Sequence, residues 1–533
     1  MERDLTSLLA QCARQLNRLD GWLAALASKR GGPGDPYRPR IALVQRRLQR
    51  IMAQSPDVVL RRLAPPACAP HVALVAYVGG LVDSTLVESG VVTPLLSTTV
   101  PPSEWGERTF GAGGVEAVDN WPDILARLTR GDTLVFAPGC PVAWSVATAR
   151  YKERTISRPK TEMSVRGPDE AFTESITTQM AQIRRFLPRP DLKFIPLAVG
   201  KQQQAVAVAY IEGVTNPALV DVVVDRLRRV EVDTRPNATA IAGLIRDHPS
   251  SIFPTIRATE RVGLAMWRLA EGKVLVLVDG DPFVLVAPAP LADFYRTEMD
   301  YSGAWYDASF VRLIRFVGWG IGVYLPALYL AATEVNLNVI PATFLISIAG
   351  SRSGMPASPV TEVLLMVLVI EMLREAAIRL PQVLGTTIGT VGAIVVGTAV
   401  VRAGIVSPQV IVLITLTALS FYTAPVYELT GTWRLVNFAM LSAATVLGLE
   451  GIVFVSMLLI GQLCRMSSFG VPYFEPWAPF RLRDWGNTII RLPYAHLRRR
   501  PTGARPLDTR WLSPPALRTS VHLRTGRSGR GPT

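Results

Sequence analysis

The sequence predicts a soluble α/β N-terminal region of two similar subdomains, followed by an all-α transmembrane bundle. Three observations predict it. Two segments within the first 300 residues repeat one another. Residues 316–464 contain no Lys and no Asp, only five Arg and six Glu. The flanks carry the positive excess: the 533-residue chain has a formal net charge of +14, yet its mean hydropathy is positive. A chain of this length exceeds one ordinary core.

Residues 1–65 are read as a helical extension. The start, "MERDLTSLLAQCARQLNRLDGWLAAL", is charged and amphipathic. It lacks the uninterrupted apolar core and small-residue cleavage site of a secretory signal, so the N-terminal region is expected in the cytoplasm.

Residues 66–188 and 189–300 are read as two copies of one module. "AYVGGLVDSTLV" from Ala76 aligns with "AYIEGVTNPALV" from Ala209. "LARLTRGDTLVFAPGCPV" from Leu125 aligns with "MWRLAEGKVLVLVDGDPFV" from Met266. In each copy an apolar strand leads through a Gly turn to a helix capped by Asp83 or Asn216. A later helix ends at Gly131 or Gly272, followed by a hairpin with the turn "PGCP" or "DGDP". Asp279 and Asp281 of that turn are turn residues by chemistry, and the other copy has no carboxylate there.

Residues 301–470 are read as the transmembrane helical domain. Eighteen uncharged residues lie between Arg315 and Glu334, twenty-two between Arg379 and Arg402, and twenty-five between Arg402 and Glu428. Each is long enough to cross a bilayer core. The stretch from Leu435 to Cys464 is interrupted only by Glu450, and a charged helix lies near 360–380. That makes five candidate spans; "NVIPATFLISIAG" at 338–350 is short for a span and suits a half helix. Cytoplasmic ends on both sides of the bundle require an even number of crossings, six if this piece crosses or four if one candidate is re-entrant. Gly385, Gly389, Ala393 and Gly397 recur at every fourth position, a small-residue ridge for close helix packing.

Within "VLLMVLVIEMLREAAIRLP", Glu371, Arg374, Glu375 and Arg379 occupy an arc of about 140° on a helix. Ionisable groups in membrane helices face protein or water and pair with one another. Two readings follow, a neutralised structural network near the membrane surface or the polar lining of a path. Glu362, in the first turn of the same helix, is accounted for by the helix dipole. Glu450 has no local partner and lies beside a helix break expected between Gly448 and Gly451.

Residues 471–533 are read as a basic cytoplasmic tail. From Arg481 onward there are twelve Arg against Asp484 and Asp508, in a Pro- and Gly-rich context that predicts weak order. Beside a membrane this charge is explained by the bias of basic residues to the cytoplasmic side rather than by nucleic-acid binding. Cys12, Cys68, Cys140 and Cys464 are scattered, as are His71, His248, His496 and His522. No metal site, disulfide framework or cofactor is indicated. Neither G-x-S-x-G nor H-E-x-x-H occurs, so no catalytic residue is assigned and a membrane-anchored enzyme is not expected.

Several long motifs carry a family resemblance. "TERVGLAMWRLAEGKVLVLVDGDPFVLVAPAPLADFY", "LPALYLAA", "REAAIRLPQVLGTTIGTVGAIVVGTAVVRAGIVSPQVIV" and "SSFGVPYFEPWAP" occur in that order. With "GLVD", "TEMSVRGPDEAFTES" and "IRRFLPRPDLK", they resemble the A-subunit family of GerA-type spore germinant receptors, including its paralogue SpoVAF. The resemblance spans about His71 to Pro493. Asp169 after "RGP", and Val262-Gly263 after "TER", depart from the usual family pattern.

The resemblance implies a protein of the spore inner membrane. It implies a transporter-like B subunit and a lipoprotein C subunit as partners in sensing small nutrients, and a homo-oligomer that conducts ions to begin germination. Glu371, Arg374, Glu375, Arg379 and Glu450 are then candidates to line or gate the path. The alternative is a SpoVAF-like accessory membrane protein that modulates germination and ion release without sensing nutrients.

Overall fold

The computed structural model describes residues 40–511 apart from 107–108, 112–113, 151–158, 160–161, 163–166, 353–354, 380–401 and 495. At 344, 378 and 379 it describes the backbone alone. The ridge formed by Gly385, Gly389, Ala393 and Gly397 lies outside the described residues.

Two five-stranded antiparallel sheets form the N-terminal half. The first contains β1 (Val58–Leu63), β2 (Ala73–Val78), β3 (Val115–Val118), β4 (Thr133–Phe136) and β5 (Ala143–Val146), in the order β1-β2-β4-β5-β3. The second contains β6 (Leu192–Val199), β7 (Gln204–Ile211), β8 (Arg257–Thr259), β9 (Val274–Val278) and β10 (Val284–Ala287), in the order β6-β7-β9-β10-β8. Each sheet therefore runs first, second, fourth, fifth, third, which is the topological form of the sequence repeat. β1 lies before residue 66. It is an edge strand whose Arg61 and Arg62 break the apolar alternation that would have marked it.

Period-two alternation sends successive strand residues to opposite faces. Leu74, Ala76, Leu134 and Phe136 pack under α1 (Ile41–Ile51) and α2 (Trp121–Arg130). Ala73, Val75 and Val135 pack instead with Trp105 and Phe110. In the second sheet Val206, Val208 and Val276 meet one helical layer, and Ala207, Ala209, Leu275 and Leu277 the other. That second layer includes α3 (Ile176–Phe186). The first layer is α4 (Pro217–Arg228) and α5 (Ala238–Ile245), whereas α6 (Val262–Ala270) joins α3.

The caps expected from sequence form. The Asp83 carboxylate accepts from the Thr85 amide at 2.9 Å, and the Asn216 side chain from the Ala218 amide at 3.0 Å. Gly131 and Gly272 stop their helices at φ +102° and +90°. Asn216→Ala is expected to cost about 1 kcal/mol, read as faster hydrogen exchange of the α4 amides with the α2 amides unchanged.

The C-terminal half is helical: α7 (Trp305–Leu330, continued by a π turn to Val335), α8 (Ala342–Ser351), α9 (Pro359–Arg379), α10 (Pro408–Tyr422) and α11 (Tyr427–Arg465). Among the described residues Trp305–Val335 is long and apolar enough to cross a membrane, and the continuous run Tyr427–Arg465 also has that length and composition. Many outward-facing positions along the helices are apolar, including Leu368, Val412, Leu419, Val446, Phe454 and Met457.

The stretch Leu435–Cys464, expected as one span, is two antiparallel legs. Gly448 has φ +61° and ψ −138°, a conformation open essentially to glycine. The Thr432 hydroxyl donates to the Ile252 carbonyl at 2.7 Å, and the Ser251 hydroxyl reaches the Met466 sulfur at 3.4 Å. Both ends of α11 thus meet one short loop. A straight helix would hold residues 432 and 466 about 50 Å apart. The break expected near Gly448 is real, and it reverses the chain.

The described part of the tail is also more ordered than its composition predicts. Residues through Trp511 fold back on the second subdomain. The buried Arg491 donates to the Gly303 carbonyl at 2.9 Å, and Arg500 to the Ala270 carbonyl at 2.6 Å. The Leu507 amide donates to the Val214 carbonyl at 2.9 Å, and Trp511 packs edge-on to Trp267. These arginines satisfy backbone carbonyls that tail composition cannot reveal.

Candidate functional site

The charged helix predicted from sequence is α9, and one turn brings Glu371 and Arg374 together. Arg374 Nη1 donates to Glu371 Oε1 at 2.9 Å. From the first leg of α11, Arg434 Nη1 donates to Glu371 Oε2 at 2.6 Å. A single carboxylate is therefore clamped by two guanidiniums. The Arg374 guanidinium also lies over the Tyr422 ring, 5.7 Å from its centre. Glu371 and Arg434 are partly buried, so this cluster looks into protein.

Two further expected residues are exposed. Glu375 is exposed on α9, and the Arg379 side chain lies outside the described residues. Glu450 is exposed just past the reversal at Gly448. Arg434 is fourteen residues before that turn, so about 20 Å of helix separates Glu450 from the cluster. A cavity of about 20 Å³ adjoins the cluster, lined by Glu371, Arg374, Thr417, Arg434 and Asn437 among others. It takes about one water. Arg434 was not legible as a partner, because its 63-residue separation from Glu371 leaves no spacing signal.

Glu362 has a larger role than dipole complementation. It is fully buried; Oε2 accepts the Ser407 amide at 3.0 Å, and Oε1 lies 3.3 Å from Arg352. One carboxylate thus ties the start of α9 to the end of α8 and the start of α10.

A second charged assembly joins the N-terminal half to α7, the first long apolar helix. Asp293 accepts from Arg268 at 3.0 Å and Arg296 at 3.1 Å, and also holds Lys273. Glu271 accepts from Arg268 at 2.9 Å and pairs with Arg296. Arg296 Nε donates to the Tyr301 hydroxyl at 3.0 Å, which donates to Asn487 at 2.9 Å. Asp300 then takes Arg312 at 2.8 Å and Arg315 at 2.9 Å from the early turns of α7. All these groups are buried apart from slight exposure at Arg315.

The local field follows from this geometry. Burial would raise the Glu271 carboxyl, but Arg296, Arg268 and Lys273 outweigh it and hold it well below the usual range. Burial, then Arg268, pushes the Lys273 ammonium well down. Burial opposes ionisation of Asp300 as well, but Arg312 and Arg315 keep its carboxyl lowered.

Beside this assembly Arg261 Nε donates to Glu298 at 2.8 Å. A Cβ at residue 263 would collide with the Glu298 carboxylate. The Val262-Gly263 departure therefore makes room for a buried ion pair. Among the described residues, no three His, Cys, Asp or Glu are placed to hold a metal ion.

Comparison with known proteins places this architecture. The family model described as Bacillus/Clostridium GerA spore germination protein matches residues 46–503. Spore germination protein KA of Bacillus subtilis (strain 168) is 34% identical over 457 residues, covering 84% of each chain. Spore germination protein GerLA of Bacillus cereus is 36% identical over 415 residues, 78% of this chain and 82% of the relative. The N-terminal domain of the A subunit of the Bacillus megaterium spore germinant receptor GerK3 is a solved structure with 26% identity and a TM-score of 0.38. That alignment covers 48% of this chain and 97% of the solved one. The chain belongs to the Bacillus/Clostridium GerA family of spore germination proteins.

Proposed function

We propose that the protein is the A subunit of a germinant receptor in the spore inner membrane. In this reading it oligomerises around an ion path that opens on nutrient sensing, alongside a transporter-like B subunit and a lipoprotein C subunit. The soluble half and the basic segment after α11 face the cytoplasm.

The observation that carries the reading is Glu371, one carboxylate clamped by Arg374 and Arg434 between helices of an otherwise apolar bundle. Such groups are costly in a membrane and mark functional paths or couplings. The cavity beside them takes about one water, so an ion path at this level has to form between copies. Nutrient binding elsewhere in the complex would then shift closed and open populations.

The test is conductance of the purified full chain in planar bilayers. Glu371→Gln leaves Arg374 and Arg434 facing each other without their anion. Insertion is expected to be normal, with cation conductance lowered about tenfold, the scale of one partly screened charge. Unchanged conductance in a normally assembled Glu371→Gln protein, or none in the unsubstituted one, would count against a path here.

A further inference from the structure

We propose that residues 480–494, just after the membrane helices, lie in the headgroup layer of an anionic bilayer and anchor the soluble half to it. This rests on the membrane reading above.

The segment "FRLRDWGNTIIRLPY" is inside out for a surface in water. Its buried residues are polar: Asn487, Thr488 and Arg491 turn inward. Its exposed residues are apolar, with Phe480 66% and Leu482 69% exposed, joined by Ile490, Leu492 and Tyr494. The inward set is held by named bonds. Arg312 donates to the Asn487 carbonyl, Arg491 to the Gly303 carbonyl, and the Tyr494 hydroxyl to the Tyr301 carbonyl. The outward apolar face is therefore fixed by buried polar contacts rather than by loose packing.

Its neighbours identify the occupant. The Ser309 hydroxyl donates to the Arg491 carbonyl and accepts the Arg491 amide, both at 3.1 Å. That sets residues 489–492 against the first turns of α7, where Trp305, Tyr306 and Phe310 are also exposed. The uncharged stretch of α7 begins directly afterwards, at Phe316. Trp and Tyr at the mouth of an apolar span are the chemistry of a membrane–water interface. Arg483, exposed and next to Leu482 in the chain, has no ion-pair partner among the described residues. A basic group beside an apolar face suits anionic headgroups over a hydrocarbon boundary.

The test uses the full chain, free of native cysteines, in nanodiscs of phosphatidylcholine and phosphatidylglycerol. An environment-sensitive fluorophore is placed at Leu482→Cys, or at Ile490→Cys should the first fail to fold. A third probe at Met457→Cys, midway along the second leg of α11, reports the span itself. Quenching at 482 or 490 by headgroup-proximal spin labels, and at 457 by chain-end labels, is the expected result. Arg483→Gln should lower the docked-to-undocked ratio of the segment about fivefold in anionic discs, with no change in pure phosphatidylcholine. Quenching at 457 without any at 482 or 490 overturns the anchor and leaves the span intact. Probes at 482 that crosslink between copies overturn it in favour of a subunit interface. No quenching at 457 overturns the membrane reading, and the anchor with it.

Discussion

Replacing Asp293 by Ala is expected to destabilise the folded chain by about 3–5 kcal/mol, the cost of stripping one partner from a buried ionic cluster. Asp293 takes Arg268, Lys273 and Arg296 at once. Without it only Glu271 remains to balance three buried cations. The loss should have a distinctive pH dependence. The Lys273 ammonium is already pushed well down by burial and by Arg268, and losing its anion lowers it further. A lysine whose folded pKa lies below its unfolded value binds fewer protons when folded, so stability rises with pH across that interval. Because the unfolded chain is common to both proteins, the deficit of Asp293→Ala should be largest at low pH and shrink as pH rises from where the variant's Lys273 gives up its proton to where the unsubstituted chain's Lys273 does. Thermal unfolding of the detergent-solubilised full chain across a pH series measures it. Adding Lys273→Met should recover part of the loss, since it removes a cation left unpaired. A deficit that is independent of pH, and not relieved by Lys273→Met, would mean that Asp293 acts through packing alone.

The assembly around Asp293 and Asp300 also makes a mechanical statement. Arg312 and Arg315 on α7 are bonded to a carboxylate that belongs to the soluble half. Phe253, Leu291, Phe294 and Tyr295 share one apolar core with α7, α9, α10 and α11. A displacement of the second subdomain cannot leave α7 behind without breaking buried ion pairs. This attachment couples the position of the second subdomain to that of the C-terminal helices.

The legible features were the local ones. Asp83 and Asn216 were readable as caps because a cap bonds amides two or three residues away. Gly131 and Gly272 were readable as helix ends because only their own φ is at stake. The pairing of Glu371 with Arg374 follows from helical spacing. Arg434 and Arg352 were not readable as partners, since the contacts they make depend on how helices assemble. The order of the tail's described part, through Trp511, was hidden for a related reason. Arg491 and Arg500 count as charge in composition, yet each is spent on backbone carbonyls distant in sequence. The break near Gly448 was visible as a glycine pair around a lone acid, but its size was not. A kink and a full reversal have the same sequence signature, and only the contacts of residues 432 and 466 with one loop distinguish them.

Gly448→Ala is expected to disrupt the hairpin of α11, at a cost of about 3 kcal/mol or more. Two effects combine. The φ of +61° with ψ of −138° is strained for any residue with a side chain. The new Cβ would also collide with the Asn336 side-chain oxygen and approach Val335 Cγ1 to 2.8 Å. That oxygen accepts the Leu449 amide at 2.9 Å, so Asn336 at the end of α7 satisfies a backbone donor freed by the reversal. Pushing it away leaves the donor unpaired in an apolar setting, which carries a further penalty. Asn336→Ala removes only this bond and should cost about 1–3 kcal/mol while leaving the reversal in place. The measurement is crosslinking of Thr432→Cys to Ser467→Cys by a flexible bifunctional reagent in the full chain reconstituted in lipid, with the native cysteines replaced. It should proceed readily with Gly448 or with Asn336→Ala, and fail with Gly448→Ala. Efficient crosslinking in Gly448→Ala would show that the legs return to one end without a glycine at the turn. Conversely, failure with Gly448 itself would restore a single long span and reassign Glu450 from the far turn to its interior.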